Sequence, residues 1–152
     1  MLKWIAIGAI AILAAAGVAS RYWPGDELTT VRIPFGDSTA VARGKAVYAE
    51  ACASCHGANL EGQPNWRERL PNGRLPAPPH DETGHTWHHV DQHLFEITKY
   101  GVAKFAGPGY ESDMFAFEGI LSDSDILASL AYIKSTWPTA IQLRHTAMSN
   151  PS

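Results

Sequence analysis

The sequence predicts an all-α domain of three to five helices, and three observations carry that expectation. Apolar residues recur at helical spacing in three stretches: Val41, Val47, Tyr48 and Ala51; Trp87, Val90, Leu94 and Ile97; and Ile126, Leu127, Leu130, Ile133 and Trp137. The segments between them, 57–81 and 103–112, are rich in Pro and Gly and read as loops. The third observation is Cys52-Ala53-Ser54-Cys55-His56, the attachment signature of a c-type haem. Two thiols three residues apart can add to the two vinyl groups of one porphyrin, and the next imidazole can turn onto the iron. One large apolar cofactor would then fill much of the interior.

Each element has its own signals. Asp37-Ser38-Thr39 offers N-cap chemistry for a first helix from about Thr39 to Ala53. Gly44, Tyr48 and Cys52 follow one another at intervals of four, along one face of that helix. Asp91 is a candidate N-cap for the middle helix and Gly101 a candidate residue just beyond its end. Ser122-Asp123-Ser124-Asp125 resembles a capping box ahead of the last helix, which Pro138 stops. Residues after Ile141 read as a frayed tail.

A length of 152 residues with 45% hydrophobic and 18% charged residue types suits one small domain with appendages. Cys52 and Cys55 are the two cysteines, which excludes a disulfide once both are thioether-linked, and no second pair exists to complete a four-ligand structural zinc site. A thioredoxin-like redox pair needs a βαβ surround, and these flanks read as helix and loop. The formal charge is −3 overall, and −5 beyond residue 22. An acidic domain argues against a nucleic-acid partner, which wants a basic surface.

At the N-terminus, Ile5 to Ala19 lacks any charge, and the run from Trp4 to Trp23 would reach roughly 30 Å as a helix, enough to span a bilayer. Residues 1–23 therefore read as a single-pass transmembrane anchor, with a signal peptide cleaved after Gly17-Val18-Ala19 as the competing reading. Either one exports the rest. Residues 24–38 read as a linker, 39–138 as the haem domain and 139–152 as the C-terminal tail.

The helix ending in Cys-x-x-Cys-His, the loop, the middle helix, a later Met and a closing helix with Leu130-Ala131-Tyr132-Ile133-Lys134 together resemble the class I c-type cytochromes, in particular small membrane-anchored bacterial ones. The resemblance covers about residues 39 to 138. It implies a cytochrome c fold around one covalent haem c, with the first and last helices crossing where Gly44 and Tyr48 meet Tyr132. Ser129 stands where the family more often has an aliphatic residue. It also implies a haem domain facing the periplasm from the bacterial inner membrane. There it would carry single electrons between respiratory or photosynthetic complexes, such as a cytochrome bc1-type donor and a terminal oxidase or reductase.

His56 supplies one axial ligand, and the sixth position decides between carrier and catalyst. Of three methionines, Met1 falls in the anchor and Met148 in the tail. Met114, in Ser112-Asp113-Met114-Phe115-Ala116-Phe117, resembles the family's Met-Pro-x-Phe ligand loop, with Phe115 in place of Pro. The family also uses a Pro carbonyl to accept the proximal imidazole's other N–H, a role open to Pro78 or Pro79. His85, His88, His89 and His93 are crowded enough to raise a second metal, since a helix starting at Thr86 would put His89 and His93 on one face. The bland alternative is a solvated polar face. The rival functions are a fixed haem subunit of a larger oxidoreductase and a peroxidase-like haem enzyme.

Overall fold

The computed structural model describes residues 30–150. They form α1 (Ser38–Ala51), α2 (Ala53–His56), α3 (Asp91–Tyr100), α4 (Ala103–Ala106), α5 (Asp123–Thr136) and α6 (Thr139–Ser149), with a 3-10 turn at Thr86–His88. There is no strand among the described residues. The helix count exceeds three to five because α2 and α4 are single turns of four residues and because α6 occupies the predicted tail. No helix among the described residues is long and apolar enough to cross a membrane. The expected anchor, residues 1–23, lies outside the described residues, as does the linker before residue 30.

Helix α1 begins where Asp37 Oδ1 accepts from the amides of Thr39 and Ala40, at 2.8 and 3.3 Å. Its amides would otherwise lack partners. It crosses α5 at Gly44, where a Cβ would overlap the backbone carbonyl of Ala128. Only glycine lets the two backbones approach so closely. One turn on, Tyr48 is buried and lies against Tyr132, ring centroids 5.5 Å apart. Ser129 is buried in the same crossing, and its hydroxyl donates to Ile126 O at 2.8 Å, so a polar residue sits there without an unmet hydrogen bond. Helix α5 starts at Ser122, whose Oγ accepts from Asp125 N at 3.1 Å as its sequence indicated. Ile126, Leu130 and Ile133 pack with Tyr48, Leu94, Phe95 and Trp137 in one core.

Three expectations are corrected here. Asp91 is the first residue of α3, after Val90, and does not cap the helix through its own carboxylate. That carboxylate is buried: Oδ2 accepts from Ile33 N at 2.9 Å, while Oδ1 faces Ser149 Oγ at 3.2 Å and Lys134 Nζ at 3.5 Å. The amide of Asp91 is instead met by Ser149 Oγ at 3.0 Å, so α6 caps α3. Residues 31–37, read as linker, are docked against the domain through Ile33 and through Phe35, whose ring lies 4.5 Å from Lys134 Nζ.

The third correction is α6. Pro138 ends α5 and at once opens α6, a place where proline's fixed φ and missing N–H are tolerated. His145 is fully buried and Ser149 nearly so, while Leu143 is 67% exposed. The fully buried positions of this face are polar, although Ile141 packs against the core and the His145 ring meets Trp137 edge-on, centroids 5.0 Å apart. His145 Nε2 donates to His89 O at 2.7 Å.

Candidate functional site

The turn that follows α1 brings the motif together. Cys52 ends α1, its amide donating to Tyr48 O, and α2 then carries Cys55 and His56. Tyr48 Oη donates to Gly57 O at 2.8 Å, tying the exit of the motif back to α1. Cys52 is half-buried and Cys55 exposed, and neither is in a disulfide. Burial, followed by the neighbouring Cys55, pushes the Cys52 thiol up to about 11.

His56 is 8% exposed, and its Nδ1 lies 2.8 Å from Pro78 O. A carbonyl can only accept, so Nδ1 carries the proton and the lone pair is left on Nε2. Of the two prolines, Pro78 takes this role, while Pro79 O faces the hydroxyl of Thr86 at 3.5 Å. Desolvation lowers the His56 pKa against the smaller opposing effect of the Pro78 bond, which keeps the imidazole neutral and able to bind a metal.

Segment 57–81 is the expected loop, and backbone bonds order it around the motif: Gly62 N to His56 O at 2.7 Å, Gln63 N to Ala77 O at 2.8 Å and His80 N to Leu60 O at 2.8 Å. The loop also places a residue that sequence reasoning passed over. The His80 ring stacks on His56 with centroids 3.9 Å apart, its Nδ1 lies 2.8 Å from Thr86 Oγ1, and its carbonyl accepts from Trp137 Nε1 at 2.7 Å. Desolvation, then the nearby His56 and His85, holds His80 well below the ordinary histidine range. Its adjacency to Pro78-Pro79 was the available signal.

Met114 is half-buried and packs against the core, in the stretch between α4 and α5. Its amide donates to Ser112 Oγ at 3.0 Å. Downstream the chain is tied to α3, Phe117 N donating to Thr98 O at 3.2 Å and Glu118 N to Lys99 O at 2.9 Å, with Phe117 buried. Upstream, Arg74 pairs with Asp113 and, at 3.3 Å, with Glu111. Phe115 is 59% exposed against Phe117. Met148 lies on α6, remote in sequence from the motif and outside a loop.

The histidine cluster does not form a metal centre: among the described residues no group of three or more His, Cys, Asp or Glu side chains is placed to hold one. The reason is local. The 3-10 turn ends at His89 in extended backbone, so α3 begins only at Asp91 and His89 is not on its face. The rings instead form an aromatic row, Trp66 on His85, His85 beside His89, His89 beside His93 and His93 against Phe105, at 5.1–5.5 Å between centroids.

The residues present fit a covalent haem. Two unpaired thiols and an imidazole with its lone pair fixed on Nε2 occupy adjacent turns, and a soft thioether stands on a separate loop at the same core. A family model described as cytochrome c matches residues 41–137. Comparison with curated proteins and with solved structures returns no match.

Proposed function

This chain belongs to the cytochrome c family, which binds covalently attached haem c, and from that premise we propose that it is a mono-haem electron carrier with His56 and Met114 as axial ligands. The bound haem supplies a centre that takes up and releases one electron. Cys52 and Cys55 hold it through their sulfurs. His56 presents Nε2, and Pro78 O, by accepting the proton on Nδ1, fixes the tautomer and raises the basicity of the ring. Met114 offers a soft, neutral sulfur that favours the reduced iron, so the potential is fairly high. Such a carrier needs no acid–base pair. The His56–Pro78 bond is the observation that carries this reading, because it prepares one nitrogen for metal ligation and no other chemistry in the motif calls for it.

The N-terminal apolar run supports a tether in the bacterial inner membrane, with the haem domain in the periplasm between a cytochrome bc1-type donor and a terminal oxidase or reductase. The ligand assignment is tested by absorption spectroscopy of the full-length protein. The parent should show the near-infrared Met-to-iron band and bind carbon monoxide slowly when reduced. Met114→Ala should lose the band and bind carbon monoxide quickly, and Met148→Ala should behave as the parent. A band that survives Met114→Ala would overturn the assignment.

A further inference from the structure

The loop that carries Met114 has Phe115 where its resemblance to the ligand loop calls for proline, so the backbone beside the sulfur lacks the restraint of a fixed φ. Downstream the restraint is supplied by Phe117 and Glu118, through their bonds to α3. Upstream, the backbone bonds among the described residues are local, Met114 N to Ser112 Oγ at 3.0 Å and Tyr110 N to Gly107 O at 3.3 Å, and do not reach a helix as those to α3 do. The loop there faces residues 69–73 across an open hollow of about 430 Å³, lined on one side by Arg69 and Asn72 and on the other by Ala106, Tyr110 and Glu111. The guanidinium of Arg74 bridges the two walls: Nη1 donates to Asp113 Oδ1, and Nε and Nη2 both donate to Glu111 Oε2 at 3.3 Å.

Arg74 is itself held. Its carbonyl accepts from Leu70 N at 2.8 Å, its amide donates to Asn72 Oδ1 at 3.0 Å, and Arg69 Nη1 closes the same turn on Gly73 O at 2.6 Å. Three residues on, Ala77 is locked to Gln63 by a pair of hydrogen bonds, and the next carbonyl is the one that His56 uses. One short segment, 74–78, therefore grips the support of His56 at one end and the residue adjoining Met114 at the other.

We propose that Arg74 is a positioning residue for Met114: it holds Asp113 and Glu111 in place of the missing proline and so keeps the sulfur at its post. This rests on Met114 being the sixth ligand. Exposed ion pairs add little to global stability, so the effect falls on local opening of the loop and not on unfolding. Lysine could keep the charge but not the planar fork that reaches two carboxylates.

The test is imidazole binding to the oxidised full-length protein, followed by loss of the near-infrared band. Arg74→Gln should tighten apparent imidazole binding on the order of threefold, because a loop that opens more often yields its place more readily. Arg74→Lys should fall between variant and parent. Asp113→Asn should repeat the effect, and the double variant should add little to either. Raising salt to 1 M, where the screening length is about 3 Å, should move the parent toward Arg74→Gln while moving the variant less. Arg43→Gln, which breaks the Arg43–Asp125 pair between α1 and α5, should leave imidazole binding unchanged. Haem content and helical circular dichroism should match the parent throughout. Unchanged imidazole binding in Arg74→Gln, with the band present in the parent, would overturn the role of Arg74 alone. A parent without the band would overturn the ligand assignment and this proposal with it.

Discussion

The two sides of the candidate haem site are held by different physics. On the His56 side the supports are at least partly buried and each uses a backbone atom: Pro78 O on the imidazole, Gly62 N on His56 O, Tyr48 Oη on Gly57 O. On the Met114 side they are exposed side-chain charges before the sulfur and two backbone bonds after it. Buried hydrogen bonds resist salt and resist exchange with water, whereas exposed ion pairs are screened. The difference teaches where such a site yields first. Its rigid half fixes the tautomer of His56, and under the proposed ligation its compliant half would set how readily Met114 leaves.

The largest way to break the rigid half is Gly44→Ala. The added methyl meets the Ala128 carbonyl, so the helices must separate. We expect a loss of about 3 kcal/mol or outright failure to fold, measured by chemical denaturation of the haem-loaded protein. A melting curve like the parent's would mean that the crossing is not built on that contact.

Lys134→Ala comes next. Lys134 is 1% exposed beside Asp91, itself 6% exposed, and its removal leaves that buried carboxylate without this charged partner. The expected cost is about 3 kcal/mol in the same experiment. Imidazole binding at the iron should change far less than the melt does, which separates the buried frame from the Met114 loop. Tyr48→Phe removes a single bond, to Gly57 O, and should cost about 1 kcal/mol.

The smallest effect is one of pH. Desolvation first, then Lys134, lowers the His145 pKa below its ordinary 6.5, against smaller raising effects from His89 O and Asp91. The unfolded chain therefore binds the extra proton more readily than the folded one. The contribution of neutral His145 is complete above about pH 6.5 and is lost as pH falls from there through the folded value. Thermal melting at pH 5.5 should be below that at pH 7.5, and His145→Gln should shrink the gap. A gap of unchanged size would remove His145 from the account.

Much of this was legible in the sequence, and the misses share a cause. Helices α1 and α5 were readable because Asp37 and Ser122 cap through their own side chains and the apolar residues behind them face a core. Helix α6 was not, because His145 and Ser149 are its buried positions and their partners, Asp91 and His89, lie 56 to 58 residues away. For the same reason Asp91 read as a cap and residues 31–37 as a linker. Pro78 and Pro79 are neighbours in the chain, and only the turn of the loop toward His56 distinguishes their carbonyls. The grip of Arg74 on Glu111 and Asp113 spans 37 and 39 residues and has no local pattern at all.

The central claim, a single one-electron centre ligated by His56 and Met114, is met most directly by a potentiometric titration of the full-length haem-loaded protein, followed in the visible spectrum. The account predicts one wave of one electron in the parent, displaced to lower potential in Met114→Ala and unmoved in Met148→Ala. Two waves in the parent, or a potential that Met114→Ala leaves in place, would contradict it.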